Sequence, residues 1–582
     1  MKYQINGISN SPYTIFRNLI DLKDKLLLIL SLQFNSISNL NPKQMTENFN
    51  FLFQYLEKEE ISINKSEFEF QIQSHPDYPS LTSTADTLSF FNIDNSALSV
   101  QKSEIDLLPN RYLAWLSIEG NRLQFYLIEK KDAFYECLQD KDRRILSKKE
   151  LEKAWQNIVL LVEKPKLDQI LQSNKSIWNW GFPIIWIGLF LIILLQFKIN
   201  LVTKFFFMLP LLGILFSIAA LKDLFETKSE LINNFCNITS SSSCTTVVSS
   251  NKWKIFEIIS FSDLSMVFFS SQFFGLIAFL FTANTTTFFL YQILLLICSV
   301  PVLLISIYYQ KFVEKKWCPI CLVIISIILL ELGYIHFLLP LSTSFSALPI
   351  FIFAFVFVSV SLGWFELKKI LIQKKTLKEF QFKGSRFMRN YTVFKNNLLA
   401  SDLIKSNPIS EEDTIILGIS DAPVRIVLVT NPYCGYCAKA HLIMEELLNK
   451  YAGKISFNLH FNYYDYENIN PESKILHQKL VSIYINQGQG AFIEALRNWF
   501  TNKDVSQLKV LENSKVNELK ADQILEKQLH WNKLNHISYT PAIIINGYFF
   551  PKQYERSDIK YFIDDLSEDE DFIMIYKKNI SA

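Results

Sequence analysis

Six of the eight cysteines in this 582-residue chain fall into pairs: Cys236/Cys244, Cys318/Cys321 and Cys434/Cys437. Closely spaced thiols do one of two chemistries, reversible exchange with other thiols and disulfides or metal ligation. The first pair sits in a Ser/Thr-rich stretch, NNFCNITSSSSCTTVVSSNKW, with seven residues between the two sulfurs. That exceeds the two- to four-residue spacing common in zinc sites, although these two cysteines with Cys318 and Cys321 would make a four-thiolate set. Exchange is the favoured chemistry, and no metal is expected. Cys137 and Cys298 stand alone and read as small packing residues.

The elements that must position the pairs are of two kinds. Residues 1–176 and 366–582 have ordinary charge content, whereas 178–364 are dominated by Phe, Leu and Ile. Six stretches in that middle part approach the roughly 17–25 apolar residues a spanning helix needs. They lie near 178–197, 203–221, 264–283, 288–309, 317–339 and 345–364. The first is the weakest, and buried core helices of a soluble protein are the poorer explanation for so many. The parity of the spans is informative. Cys236 and Cys244 fall between the second and third, Cys318 opens the fifth, and Cys434 and Cys437 follow the sixth. All three pairs therefore emerge on one face, as sulfur-to-sulfur transfer through mixed disulfides requires. The polar loop around the first pair can present a sulfur to a partner on either side. A net charge of +2 argues for neither nucleic acid nor an acidic partner.

The loop pair, the run CTTVVSS after Cys244, and CPIC opening a later helix resemble the vitamin K epoxide reductase family and its bacterial homologues over roughly 200–340. The resemblance implies a transmembrane four-helix bundle that encloses a quinone, with flanking spans here. It implies that Cys318/Cys321 is the active-site pair, that Cys321 lies nearest the quinone, and that Cys236/Cys244 shuttle electrons inward. Ser250 matches a loop serine that helps hold the active-site region. Animal members carry Tyr four residues after the CxxC. Ile325 stands there, which points away from vitamin K epoxide as substrate and leaves reduction of a menaquinone or ubiquinone untouched. A CxxC at the mouth of a spanning helix can meet soluble thiols on one side and a lipid-soluble quinone on the other. A helix N-terminus also stabilises a thiolate.

APVRIVLVTNPYCGYCAKAHLIMEELLNKYAGKISFNLHF, from 422 to 461, reads as a strand over Arg425–Thr430, a turn, a helix opening at the CxxC, and a strand over Ile455–Phe461. Later comes HISYTPAIIINGYFF, a Thr-Pro before an apolar strand and an Asn-Gly hairpin turn. This pattern resembles DsbA-type oxidoreductases, over roughly 413–568 with a helical insertion at 464–530. It implies an α/β thioredoxin fold in which Cys434 is the exposed nucleophile and Cys437 the buried resolving thiol. Pro541 is expected to be cis, and with Thr540 before it offers backbone to a substrate peptide. A purely structural disulfide across four residues would constrain little.

The first 170 residues carry plausible strands at 111–117 and 122–130 and a helix near 80–92. Their element order and short phrases, HPDYPSLTSTADTLSFFN among them, resemble the papain-like domain of double-glycine leader peptidases. Such enzymes need a Cys nucleophile near the N-terminal end and an activating His. No cysteine precedes Cys137, Gln124-Phe125 stands at the family's His-Phe position, and His75 lies elsewhere in the sequence. The resemblance therefore implies a domain without peptidase activity, which either binds a peptide or is only structural.

The reading is a multi-domain membrane protein: an α+β papain-like domain at 1–170, an all-α transmembrane domain at 171–365, a linker at 366–412, and a thioredoxin fold at 413–582. Exported dithiol proteins or peptides, a quinone and membrane lipid are the expected partners, in a bacterial cytoplasmic membrane with the cysteines on the outer face. A disulfide module dedicated to leader-bearing peptides and a non-redox scaffold with zinc or structural disulfides are the alternatives. The N-terminus does not read as a secretory signal. With six spans both ends share the outer face; if 178–197 does not span, the N-terminal domain is cytoplasmic. Lys198 and Lys204 look inward, while ELKKILIQKKTLK after the sixth span lies on the proposed outer face, against the positive-inside tendency.

Overall fold

The structure is a computed structural model that describes residues 49–117, 124–164, 196–225, 260–339, 347–404, 409–462, 471–504 and 515–581, apart from a few positions within these ranges. Residues 178–197, the weakest expected span, lie almost wholly outside the described residues, as do Cys236, Cys244 and Ser250.

The N-terminal domain begins with three short helices: α1 (Asn50–Lys58), α2 (Lys65–Gln73) and α3 (Leu81–Phe90). The side chain of Asn64 caps α2 by accepting the N–H groups of Ser66 and Glu67. Ser80 and Ser83 form a reciprocal capping box at the start of α3, so each helix starts where its free N–H groups find acceptors. An antiparallel sheet follows, made of β1 (Asn95–Ser99), β2 (Arg111–Leu116), β3 (Gln124–Lys130), β4 (Tyr135–Gln139), β5 (Asp142–Leu146) and β6 (Trp155–Val162), with α4 (Lys148–Ala154) before the last strand. Its order is β1-β6-β2-β3-β4-β5. Alternation along the strands makes two apolar layers. Leu113, Leu127 and Leu160 join the layer under α1–α3, and Tyr112, Ala114, Tyr126, Ile128 and Cys137 join the layer on the opposite face. The domain is thus α+β. Cys137 is a packed residue, as expected. His75 faces Asp86 at 3.2 Å, and Phe125 packs edge-on against Trp115 at 4.3 Å.

Residues 174–381 form a separate unit. Its described residues hold five helices long and apolar enough to cross a membrane: α5 (Leu201–Ala220), α6 (Phe261–Phe281), α7 (Thr285–Val313), α8 (Pro319–Leu338) and α9 (Ala347–Met388). They match the second to sixth expected spans, but α9 runs on well past residue 364, because ELKKILIQKKTLKEF is made of good helix formers. Large apolar side chains such as Phe274, Leu294, Ile297 and Leu304 point outward, as a lipid-facing surface would have them. Cys298 also lies on the outer surface of α7; the expectation that it packs in the core fails, because it falls on the outward arc between Ile297 and the next turn. Glycine sets one close approach: a Cβ on Gly213 of α5 would lie 2.3 Å from the Phe269 ring of α6. Two polar clusters tie the bundle together. Asp263, fully buried, accepts the Trp364 indole N–H at 3.1 Å and the Lys368 ammonium at 2.6 Å. Glu331 accepts the Gln272 amide at 2.7 Å deep in the bundle.

The C-terminal part contains α10 (Tyr391–Leu399), β7 (Ile415–Gly418), β8 (Val424–Thr430), α11 (Gly435–Lys450), β9 (Ile455–Phe461), α12 (Pro471–Asn502), α13 (Lys515–Leu534), β10 (Ala542–Ile545), β11 (Tyr548–Phe549), α14 (Ile563–Glu568) and α15 (Glu570–Ser581). The sheet order is β11-β10-β8-β9-β7. Strands β8 and β9 run parallel in full register from Val424↔Ile455 to Thr430↔Phe461, joined by α11 as the crossover that parallel strands require. The Asn546-Gly547 turn has both residues at positive φ, +45° and +87°, which joins β10 to β11 as a tight hairpin. The segment 366–412, read from sequence as a linker, is largely helical. Its Phe394 is fully buried and stacks on Phe562 at 3.8 Å, so α10 belongs to the core of this domain. The N-terminal and C-terminal parts form one compact unit, residues 1–173 and 382–582.

Candidate redox-active sites

Strand β8 delivers the chain to Cys434. It ends at Thr430, and the Asn431-Pro432 turn then hands over to α11, whose N-cap is Cys434. The Asn431 side chain holds this turn: its Oδ1 accepts the Tyr433 N–H at 2.9 Å and its Nδ2 donates to the Asn462 carbonyl at 2.9 Å. From the helical insertion, the Trp499 indole donates to the Pro432 carbonyl at 2.8 Å. Cys434 is half-buried and Cys437 fully buried. Thr540 and Pro541 are joined by a cis peptide, and the Thr540 carbonyl lies 3.4 Å from the Cys434 sulfur. The structure thus brings together all four residues expected here. Exposed Tyr433, Tyr436 and Tyr539 flank them.

The two thiols are held differently. Burial pushes the Cys437 thiol up, partly offset by the Thr430 side chain and the Asn431 N–H, which points at the Cys437 sulfur from 3.5 Å. Burial acts on Cys434 too, but contacts with Thr540 and Cys437 and the N–H groups of Cys437 and Tyr436 hold it below the usual thiol value. Cys434 is thus the more exposed and more readily ionised thiol, and Cys437 the buried and less readily ionised one. Beneath Cys437, one helical turn on, the buried His441 ring bonds the Thr430 hydroxyl at 2.9 Å. Sequence reading passed over Thr430 and His441, although an i, i+4 spacing from Cys437 already places His441 on the same helix face.

The bundle pair is sealed. Cys318 is 0% and Cys321 3% exposed. Cys318 caps α8, with Pro319 as its first helical residue, and the Cys318 sulfur accepts the Cys321 N–H at 3.2 Å. Gln310 positions the motif: its Oε1 accepts the Cys318 N–H at 2.9 Å, and its Nε2 donates to Ser306 at 3.3 Å. The last turn of α7 is widened, with the Glu314 N–H reaching back to the Tyr309 carbonyl at 3.0 Å, a device often found at functional sites. No sequence signal marks Gln310, which acts across a turn. Ile320, Ile324 and Ile325 pack with the pair in a core rich in Phe and Ile.

Neither family match reaches the N-terminal domain: residues 204–335 match the vitamin K epoxide reductase family and residues 410–565 match a thioredoxin family. No protein with a curated description matches the chain. Among solved structures, oxidised BdbD from Bacillus subtilis is 16% identical, with a TM-score of 0.24, over 29% of this chain and 99% of that one. The thiol-disulfide exchange protein alpha-DsbA2 from Wolbachia pipientis is 15% identical, with a TM-score of 0.23, over 30% and 92%. DsbA from Chlamydia trachomatis is 17% identical, with a TM-score of 0.21, over 28% and 97%. The two family matches, each with its CxxC at a helix N-terminus, support a multi-pass membrane thiol–disulfide oxidoreductase.

Proposed function

We propose that the chain oxidises dithiols of exported proteins or peptides and passes the electrons to a quinone in a bacterial cytoplasmic membrane. The observation that carries this is the pairing of two unlike CxxC sites on one chain. One has a half-exposed, activated sulfur in a thioredoxin domain, and the other is closed inside an apolar bundle. A substrate thiolate attacks Cys434 of the Cys434–Cys437 disulfide and releases the Cys437 thiolate. The second substrate thiolate attacks the substrate sulfur of this mixed disulfide, so the substrate leaves oxidised and Cys434/Cys437 remain as a dithiol. The same exchange carries two electrons to Cys236/Cys244 and then to Cys318/Cys321. Because all three pairs share one chain, these exchanges are intramolecular, at effective concentrations that reach about millimolar.

The residues around Cys321 fit a quinone in chemistry: a reducing dithiol walled by Ile324, Ile325 and neighbouring apolar side chains. The Cys318/Cys321 dithiol would close to a disulfide by giving two electrons and two protons to a quinone held there, the group that would supply the lipid-soluble electron acceptor. Ser250 is proposed to support that region from the loop, and Thr540 and Pro541 to hold substrate backbone at Cys434. The cysteines and the thioredoxin domain are proposed to lie on the outer face. The test is anaerobic reduction of a soluble quinone by purified protein in detergent, given a reduced dithiol peptide. Wild type is expected to reduce it and Cys321→Ser and Cys434→Ser to fail. Full turnover by Cys321→Ser would overturn the assignment.

A further inference from the structure

The N-terminal domain meets the C-terminal part through cations set against helix ends and aromatic rings. Arg386 donates to the carbonyl of Gln73, the last residue of α2, at 2.7 Å, with its guanidinium 4.8 Å from the Tyr78 ring centre. Lys450, the last residue of α11, donates to the carbonyl of Phe90, the last residue of α3, at 2.9 Å and sits 4.3 Å over its ring. Both contacts satisfy carbonyls that a helix C-terminus leaves free, at the end where the dipole favours a cation. Between them Arg389 donates to Gln71 and to Tyr561, each at 2.8 Å, and lies 3.9 Å over the Tyr561 ring. Tyr561 also stacks on Phe90 with an interplanar angle of 13°. Gln71 is 7% exposed. A buried polar group whose partners come from both domains is costly to leave unmet, so separation of the domains is opposed by more than lost apolar contact.

We infer that the N-terminal domain is a fixed part of the thioredoxin unit, docked at the end of the active-site helix away from Cys434, and lies on the same membrane face as Cys434 and Cys437. Lys450 is sixteen residues from Cys434, about 24 Å along a helix, so docking leaves the reactive sulfur open to substrate. The topology follows. Between residues 164 and 382 the chain must cross the membrane an even number of times. The described residues supply five candidate spans; if all five cross, one more crossing lies between 164 and 382, and in sequence 178–197 is the apolar stretch long enough for it. This rests on the chain being membrane-spanning, and not on its redox activity.

The experiment is thiol labelling of the full chain in sealed cells with a membrane-impermeant maleimide, scored as added mass over the parent protein. Ser103→Cys lies on the exposed surface of the N-terminal domain, Lys552→Cys on the exposed surface of the thioredoxin domain, and Asn284→Cys in the turn between α6 and α7. Ser103→Cys and Lys552→Cys are expected to label alike and Asn284→Cys oppositely. Labelling of Ser103→Cys in step with Asn284→Cys overturns the inference. Docking is read separately by amide exchange. Arg389→Ala, and Gln71→Ala from the other side, are expected to speed exchange at the C-terminal ends of α2 and α3 by about tenfold. Unchanged exchange in both variants would refute it. A protein that fails to reduce quinone but labels as expected sinks the proposed function and leaves this inference standing.

Discussion

Acidification is expected to weaken the thioredoxin domain through three buried histidines. His441, His460 and His477 are each 3% exposed or less. Burial lowers their pKa values from 6.5 to about 3, about 3 and about 4. The Nδ1 atoms of His441 and His460 have no hydrogen-bond partner, so neither ring gains from a proton. In the unfolded chain each takes a proton near pH 6.5; in the folded chain each stays neutral. The unfolded state therefore binds more protons between these values, and stability, complete above pH 6.5, falls as the pH drops. At pH 5 each histidine costs about 2 kcal/mol, and the three together about 6 kcal/mol. That is a large share of a typical domain stability of about 5–15 kcal/mol. Asp413, held below its usual 3.8 by Lys527, titrates below pH 5, whereas Asp565, pushed up to about 6 by burial, takes its proton more readily folded than unfolded and offsets a minor part of the loss. The assay is urea denaturation of the full chain in detergent with brief proteolysis, scored on peptides from 415–461. Between pH 7.5 and pH 5 the midpoint should fall by about 2 M, for a slope of about 3 kcal/mol per M. His460→Phe, which keeps a ring against Trp531, should remove about one third of the loss. A midpoint that moves less than about 0.3 M, or a variant with the full loss, would refute the reasoning.

Three further outcomes follow from the geometry. In the reduced protein at pH 7, iodoacetamide should modify Cys434 first and Cys437 at least about tenfold more slowly; equal rates by mass spectrometry would contradict the exposure and electrostatics described. Gln310→Leu leaves the Cys318 N–H buried without its acceptor, a loss of about 1–3 kcal/mol. Quinone reduction should slow while exchange at Cys434 is unchanged, and equal slowing of both would place the effect elsewhere. Lys368→Met leaves the Asp263 carboxylate buried without its cation and should cost about 3–5 kcal/mol, largely restored by Asp263→Asn in the same chain. A melting temperature in detergent equal to wild type in the single variant would show that the pair is not buried as described.

Much of this was legible because single residues dictate backbone or period. Val424–Thr430 is an apolar run rich in β-branched residues that ends at Asn-Pro, so the strand and the turn into Cys434 follow locally. Asn546-Gly547 specifies its hairpin, and Thr540-Pro541 sits beside Cys434 as the pattern implied. The apolar runs placed four spans to within about four residues at each end, and the start but not the length of the fifth. What stayed hidden depends on contacts between distant segments. Gln310 is one of several polar residues at the end of α7 until the widened turn aims it at Cys318. Lys368 and Trp364 reveal nothing of Asp263, which lies about a hundred residues earlier. Residues 391–399 look like linker because Phe394 finds its partner, Phe562, only in the folded domain. Cys298 failed for a related reason: in a bundle bounded by lipid, an apolar neighbourhood in sequence does not say which arc of the helix faces in.

The two CxxC motifs also explain why one chain carries both. Each opens a helix, and each lends N–H groups to its first sulfur, so the backbone chemistry is shared. Their surroundings differ. Cys434 stands half-exposed among three exposed tyrosines, a surface that can meet folded or extended protein substrates. Cys318 and Cys321 have almost no exposed sulfur, and a folded protein cannot bring a thiolate to them in this conformation. A sulfur so closed exchanges only with a segment slender enough to enter the mouth of α8, which is the role proposed for the loop pair. The same closure keeps bulk water and unrelated thiols from the final dithiol. In the proposed relay the exposed pair is the one that meets substrates and the closed pair the one that meets the lipid-soluble acceptor.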